Sequence, residues 1–183
     1  MNSKYQTAGK GIYFMFAGEI LALLSAFPFF GIIALIASGL LSIYGLYTMA
    51  KADEGYKTAL TLTVAGVVLE LAASILLGEG GLLNFLVNAV VMLIRAMIIY
   101  QICGTTAALL NGIDSQIARL GENVWKTVFF CTIVWLVCEV LALIPIINVV
   151  ALVLAALISI VQFVIGILYL VFLYKSQKVL KNC

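Results

Sequence analysis

Three acidic residues lie inside long apolar stretches of this sequence, and they are the residues best suited to do chemistry. They are Glu19, Glu70 and Glu139, and each is followed three residues later by an alanine. An ionised carboxylate in hydrocarbon costs about 3 kcal/mol or more unless it is partnered, protonated or hydrated. Because positions i and i+3 share one face of a helix, the small residue allows a neighbouring helix to approach each carboxyl group closely. We therefore expect the three groups to face helix contacts and to bind a cation, a proton or a cationic solute.

Other polar groups occur in the same apolar stretches. Arg95 is the one basic residue inside them, and its long side chain can reach the predicted layer of carboxylates. Tyr44 and Gln162 stand at roughly corresponding depths. The predicted ligand- or ion-binding residues are Glu19, Glu70, Glu139, Arg95, Gln162 and Tyr44. The alternative is structural: one glutamate pairs with Arg95, and the others are protonated or hydrogen-bonded and hold the helices in register.

The composition indicates the environment that these residues occupy. Apolar residues make up 65% of the 183 positions and charged residues only 10%, with a mean hydropathy of +1.23. A soluble domain is usually about one quarter charged, so the sequence predicts an all-α integral membrane protein with a single transmembrane domain. A span needs roughly 20 apolar residues, and the chain contains six such segments, at about 11–27, 29–50, 57–77, 82–103, 124–144 and 146–174.

The breaks between these spans differ in strength. The third turn, Gly78-Glu79-Gly80-Gly81, is explicit. The first and fifth breaks depend on the single prolines Pro28 and Pro145, so a kinked continuous helix competes with a tight turn. We favour turns, because about 40 unbroken apolar residues would exceed the thickness of a bilayer.

Basic residues predict the orientation of the chain. Except for Arg95, every lysine and arginine lies near a chain end or between the predicted helical hairpins, and the three hairpin turns contain none. By the positive-inside rule, both termini face the cytoplasm, most simply at the plasma (inner) membrane. A cleaved signal peptide at the first span is the alternative, but it would leave an odd number of spans and spoil the charge pattern.

The three glutamates also align as a repeat. Around each one the sequence is similar, as in Gly18-Glu19-Ile20-Leu21-Ala22 and Cys138-Glu139-Val140-Leu141-Ala142, and a turn follows within ten residues. We predict three helical hairpins at 9–52, 55–104 and 122–178, related by a pseudo-threefold axis. Apolar sequences match one another easily by chance, so this repeat is an expectation of the pattern alone.

The segment 105–121 differs from the spans because it is amphipathic. Its apolar residues recur at helical spacing, and Asp114, Gln116 and Arg119 lie opposite them. We predict a linker that is either an interfacial helix or a cytoplasmic extension of the fourth span. The alternative is a docking surface for a cytoplasmic partner.

Several functional classes are disfavoured. The chain has no histidine, so the Ser-His and Cys-His nucleophile pairs are impossible, and no phosphate-binding glycine loop occurs. The four cysteines form no C-x-x-C motif. The net charge of +2 is too small to indicate nucleic-acid binding. We expect no enzymatic activity, cofactor or metal. The expected partner is the lipid bilayer, and a homo-oligomer is compatible with the sequence.

These observations leave a leading function and two alternatives. The leading hypothesis is a transport- or channel-like protein that uses the carboxylate cluster. The first alternative is a membrane accessory, assembly or immunity-type protein in which the buried charges are structural. Lipid handling through a groove open to the bilayer is the second.

Overall fold

The computed structural model describes residues 3–25, 31–76, 82–142, 144 and 148–183. Within these ranges the chain is all-helical. The six helices are α1 (Ser3–Leu24), α2 (Gly31–Ala50), α3 (Glu54–Leu76), α4 (Leu82–Leu110), α5 (Ser115–Leu141) and α6 (Asn148–Lys181).

All six of these helices are long enough and apolar enough to span a membrane. The shortest, α2, has 20 residues, which at 1.5 Å per residue gives about 30 Å, the thickness of the hydrocarbon core. The longest, α6, has 34 residues, so part of it extends beyond a bilayer. The predicted all-α class, with six helices of suitable length and composition for spanning, is therefore confirmed within the described residues, whereas the threefold repeat and the orientation of the termini stay predictions.

The helices differ from the predicted spans mainly at the end of the bundle that carries the chain termini. There α1 begins at Ser3 rather than near residue 11, and α6 continues to Lys181 rather than ending near residue 174. The reason is that polar residues beyond the hydrocarbon continue a helix without cost, so hydropathy marks the membrane-spanning part and not the helix end. The proposed breaks at Pro28 and Pro145 and the turn at 78–81 lie outside the described residues.

The amphipathic segment 105–121 is divided between two helices. Its first part is the end of α4, residues 111–113 form a turn, and α5 begins at Ser115. Asp114 starts α5 from an extended conformation, with φ of −145°. Its Oδ1 accepts hydrogen bonds from the backbone N–H groups of Gln116 and Ile117, both at 3.1 Å. This N-cap satisfies donors that the first turn of a helix cannot pair internally.

The helices pack as a closed ring. Each contacts the next along the chain, α6 returns to α1, and the contact between α2 and α3 is the sparsest of the six. The contact between α1 and α2 is the most extensive and is built on glycines. A Cβ added at Gly45 would lie 2.7 Å from the backbone oxygen of Gly11, and one at Gly18 would lie 3.0 Å from that of Ser38. Small residues are what allow two membrane helices to approach this closely.

The core lies in the half of the ring next to the chain termini. The largest fully buried side chains include Ile12, Leu46, Tyr56, Phe172 and Leu180, contributed by four of the helices. Toward the opposite end, large aliphatic side chains are exposed instead, such as Ile33, Ile75 and Val149. Such a surface is costly in water but not in hydrocarbon, in keeping with helices that face lipid there.

Candidate intramembrane carboxylate site

Glu19 lies on the face of α1 that points into the ring. Gly18 marks the side of α1 that contacts α2, and Phe16, which packs on Tyr174, marks the side that contacts α6. At about 100° per residue, Glu19 falls between these two sides, in line with the buried residues Ile12 and Met15. It is partly buried and lies near Tyr169 of α6. Among the described residues, the carboxyl group of Glu19 forms no hydrogen bond or ion pair.

Glu70 is paired with the arginine. The guanidinium Nη2 of Arg95 on α4 donates to Oε1 of Glu70 on α3 across 2.5 Å. The side chains are 42% exposed for Glu70 and 69% for Arg95. They line a groove of about 160 Å³ between α3 and α4, together with Thr63 and Gly66. The pair therefore neutralises one of the three carboxylates and links two neighbouring helices.

Glu139 has a neutral hydrogen-bond donor rather than a cation. The indole Nε1–H of Trp135, one turn earlier on α5, donates to Oε1 of Glu139 at 3.0 Å. Both side chains are partly buried. They share the face of α5 that also carries Gly121, against which the ring of Phe172 from α6 packs. An indole satisfies one lone pair of the carboxylate but does not balance its charge.

The remaining two predicted site residues differ in their surroundings. Gln162 lines a cavity of about 220 Å³ with Ile99, Val128 and Tyr169, the tyrosine that also lies near Glu19. Tyr44 is half-exposed and stacks edge-on against Phe14 of α1, with ring centroids 4.8 Å apart. Phe14 precedes Glu19 by five residues, which places the two about 140° apart around the helix. Tyr44 is therefore on the outer side of α1, away from the glutamate.

The ring is tightly filled between the glutamates and the chain termini. The hydroxyl groups of Tyr56 on α3 and Thr106 on α4 share a buried hydrogen bond of 2.8 Å. Tyr169 and Phe172 of α6 are also buried in this layer. Gly121 is required here, because a Cβ at that position would lie 2.6 Å from Phe172. This layer would have to move for any solute to pass along the ring axis.

Ion pairs outside the spans tie the helix ends together. Nζ of Lys4 donates to Oδ2 of Asp53 at 2.9 Å, which joins the start of α1 to the turn between α2 and α3. The hydrogen bond from Lys4 holds the pKa of the Asp53 carboxyl below its ordinary value, and a hydrogen bond from the Gly55 N–H acts in the same direction. Lys57 pairs with Glu54 on α3, within one turn.

Sequence reasoning missed the donor to Glu139 and the aromatic layer. A tryptophan four residues before a glutamate on a predicted helix was the signal for the first, because side chains at that spacing meet. The aromatic layer left no comparable signal, since the few aromatic residues of α6 stand among aliphatic ones without a polar face opposite them. Only the packing of α6 against α1 and α5 distinguishes its buried aromatics from those that face outward.

The charges of the three carboxylates are therefore unequally balanced. Within the described part of the chain, Glu70 has a cationic partner, Glu139 has a neutral donor, and Glu19 has neither. Carboxylates in this state can hold a proton or coordinate a cation, which is the chemistry open to the site. No protein family, curated protein or solved structure matches this chain, so the functional argument depends on this geometry.

Proposed function

We propose that this chain is a transport- or channel-like protein of the plasma membrane that binds a cation or proton at Glu19, with Glu139 as the second carboxylate. Both termini face the cytoplasm in this proposal, as the distribution of lysines predicts. The observation that carries it is the position of Glu19, which is on the inner face of α1 without a described partner.

Charge balance supports the choice of Glu19 over Glu70. Arg95 already compensates Glu70, so that carboxylate has little remaining attraction for a second cation. Placing an unpaired, ionised carboxylate at the centre of a membrane span costs about 3 kcal/mol. A bound cation or proton at Glu19 removes this cost, and its exchange is what a transport site requires.

The test is a Glu19→Gln substitution in protein reconstituted into vesicles. Proton and monovalent-cation fluxes are measured with a pH-sensitive dye and ion-selective dyes inside the vesicles. Loss of a charge-assisted contact costs about 1.5–3 kcal/mol, so we expect the flux to fall roughly tenfold or more. The amide is isosteric and needs no counter-ion, so the yield of folded protein should not decrease.

Glu122→Gln is the matched control. Glu122 pairs with Lys126 near the start of α5, and both side chains are exposed. This variant removes the same charge outside the apolar part of the ring and should leave flux unchanged. Wild-type flux equal to that of empty vesicles, or equal effects of the two substitutions, would contradict the proposal.

The accessory or assembly function is a second candidate, favoured by the filled layer at the terminal half of the ring. With Tyr56, Thr106 and Phe172 packed together there, the same chain can serve as a rigid helical module. In that case Glu70 only links α3 to α4 through Arg95, and Glu139 only accepts the hydrogen bond from Trp135 within α5. The discriminating result is a wild-type protein that conducts nothing, together with an Arg95→Met variant that loses folded protein.

A further inference from the structure

A basic groove lies on the outer side of α1, at the end of the ring that carries the chain termini. It encloses about 750 Å³. Lys10 and Tyr13 of α1 form its floor, Tyr44 of α2 borders one side, and Tyr174, Lys178 and Lys181 of α6 border the other. This lysine groove is separate from the inward-facing Glu19, because it opens on the opposite face of the same helix.

The charge of the lysine groove is uncompensated within the protein. No aspartate or glutamate lines it, and Lys10, Lys178 and Lys181 form no ion pair within the described ranges. Three other lysines near helix ends differ, because they pair with carboxylates: Lys4, Lys57 and Lys126. Three ammonium groups around one groove repel one another, so an anion bound between them is stabilised.

The aromatic wall indicates what kind of anion fits. Tyr13, Tyr44 and Tyr174 are each about half-exposed, which is typical of tyrosine at the boundary between hydrocarbon and water. The Phe14 ring fixes that of Tyr44 by edge-on contact. Deeper in the span, the large exposed residues of α2 and α6 are apolar, for example Leu40 and Ile167. A ligand with an anionic head and apolar chains would match both levels.

We propose that the lysine groove binds the headgroup of an anionic phospholipid from the leaflet at the terminal end of the bundle. The phosphate lies between the three ammonium groups, the tyrosine rings pack on the glycerol region, and the acyl chains follow α2 and α6. Each lysine near an anionic membrane surface contributes about a fivefold increase in affinity. The binding ties α1, α2 and α6 together and does not depend on Glu19.

The test uses the full chain purified in a neutral detergent, with bound lipids counted by native mass spectrometry. Phosphatidylglycerol and phosphatidylcholine of the same chain length are titrated separately. We expect wild-type protein to retain phosphatidylglycerol more strongly than phosphatidylcholine. The triple variant K10Q/K178Q/K181Q should lose affinity for phosphatidylglycerol at least tenfold, as three losses of about fivefold imply.

The matched control removes three lysines from the same end of the bundle but outside the groove, as K51Q/K57Q/K126Q. It has the same net charge as the groove variant and should bind within twofold of wild type. The variant K10R/K178R/K181R keeps the charge and should retain binding, which separates a loss of charge from a loss of folding. Equal losses in the two glutamine variants, equal retention of the two lipids, or displacement of phosphatidylglycerol by excess inorganic phosphate would overturn the proposal.

Discussion

The close contact between α1 and α2 makes a quantitative prediction for Gly45→Ala. The added Cβ would lie 2.7 Å from the backbone oxygen of Gly11, and 2.9 Å from both the backbone nitrogen and the Cγ of Met15. Two of these three atoms are backbone atoms, which cannot rotate away. The helices must therefore separate by about 0.5 Å or more to reach ordinary van der Waals distance.

The steric cost can be isolated with a control on the same helix. A Cβ at Gly39 would have no atom within 4 Å. Alanine improves helix propensity by about 1 kcal/mol at either position, so this term cancels between the two variants. Forcing a methyl group into a packed contact costs about 1–3 kcal/mol. We expect Gly45→Ala to be less stable than Gly39→Ala by about 2 kcal/mol or more.

The assay is equilibrium unfolding by sodium dodecyl sulfate in maltoside micelles, followed by far-UV circular dichroism. Gly39→Ala should match or exceed wild type in stability, whereas Gly45→Ala should unfold at a lower detergent fraction. Gly11→Ala should resemble Gly45→Ala, and the double variant should lose less than the sum, because the first separation of the helices makes room for the second methyl. Equal stability of Gly45→Ala and Gly39→Ala would refute the reasoning.

Two further predictions concern the terminal end of the bundle. The pKa of Asp53 is lower in the folded state than in the unfolded state. Its pair with Lys4 therefore stabilises the fold fully at pH values above the unfolded pKa of about 3.9. This stabilisation is lost as the pH falls through the lower pKa of the folded state. Asp53→Asn should therefore cost at most about 1 kcal/mol at neutral pH, since the pair is exposed, and its effect should shrink as the pH falls below about 3.9. An effect on unfolding that does not shrink at acidic pH would contradict this. Thr106→Val leaves the buried hydroxyl of Tyr56 without its partner and should cost about 1–3 kcal/mol. Tyr56→Phe should cost less, because the threonine hydroxyl can bond to the carbonyl one turn earlier; the reverse order in thermal unfolding would argue against the hydrogen bond.

The positions of the helices were largely predictable, whereas the site was only partly so. Hydropathy located all six spans because their length is set by the bilayer, and the class follows from too few charges to cover a soluble surface. Extensions such as the start of α1 at Ser3 were not predicted. Hydropathy does not show how far a helix continues in polar residues beyond the hydrocarbon. There the end of the helix is set by local features such as the N-cap Asp114.

Within the site, the sequence identified the carboxylates and the one intramembrane base but not their pairing. Arg95 is 25 residues from Glu70 and lies on a different helix, so sequence spacing alone could not select Glu70 from the three acids. Tyr44 seemed equivalent to Gln162 by depth, yet it lies on the outer side of α1 against Phe14. Depth along a helix can be counted in residues, but rotation about its axis cannot.

The sequence by itself determined that this protein forms six helices long and apolar enough to span a membrane, with three carboxylates inside them, because hydrocarbon imposes length and polarity on each span separately. The tertiary structure decided which helix faces meet: the glycine contact of α1 with α2, the partner of Arg95, the layer around Tyr56 and the lysine groove. The physical reason is that a helix that is apolar on every side carries little amphipathic contrast to define its inner face. Rotation is then set by where backbones approach closely and where polar side chains find partners, and both depend on neighbouring helices.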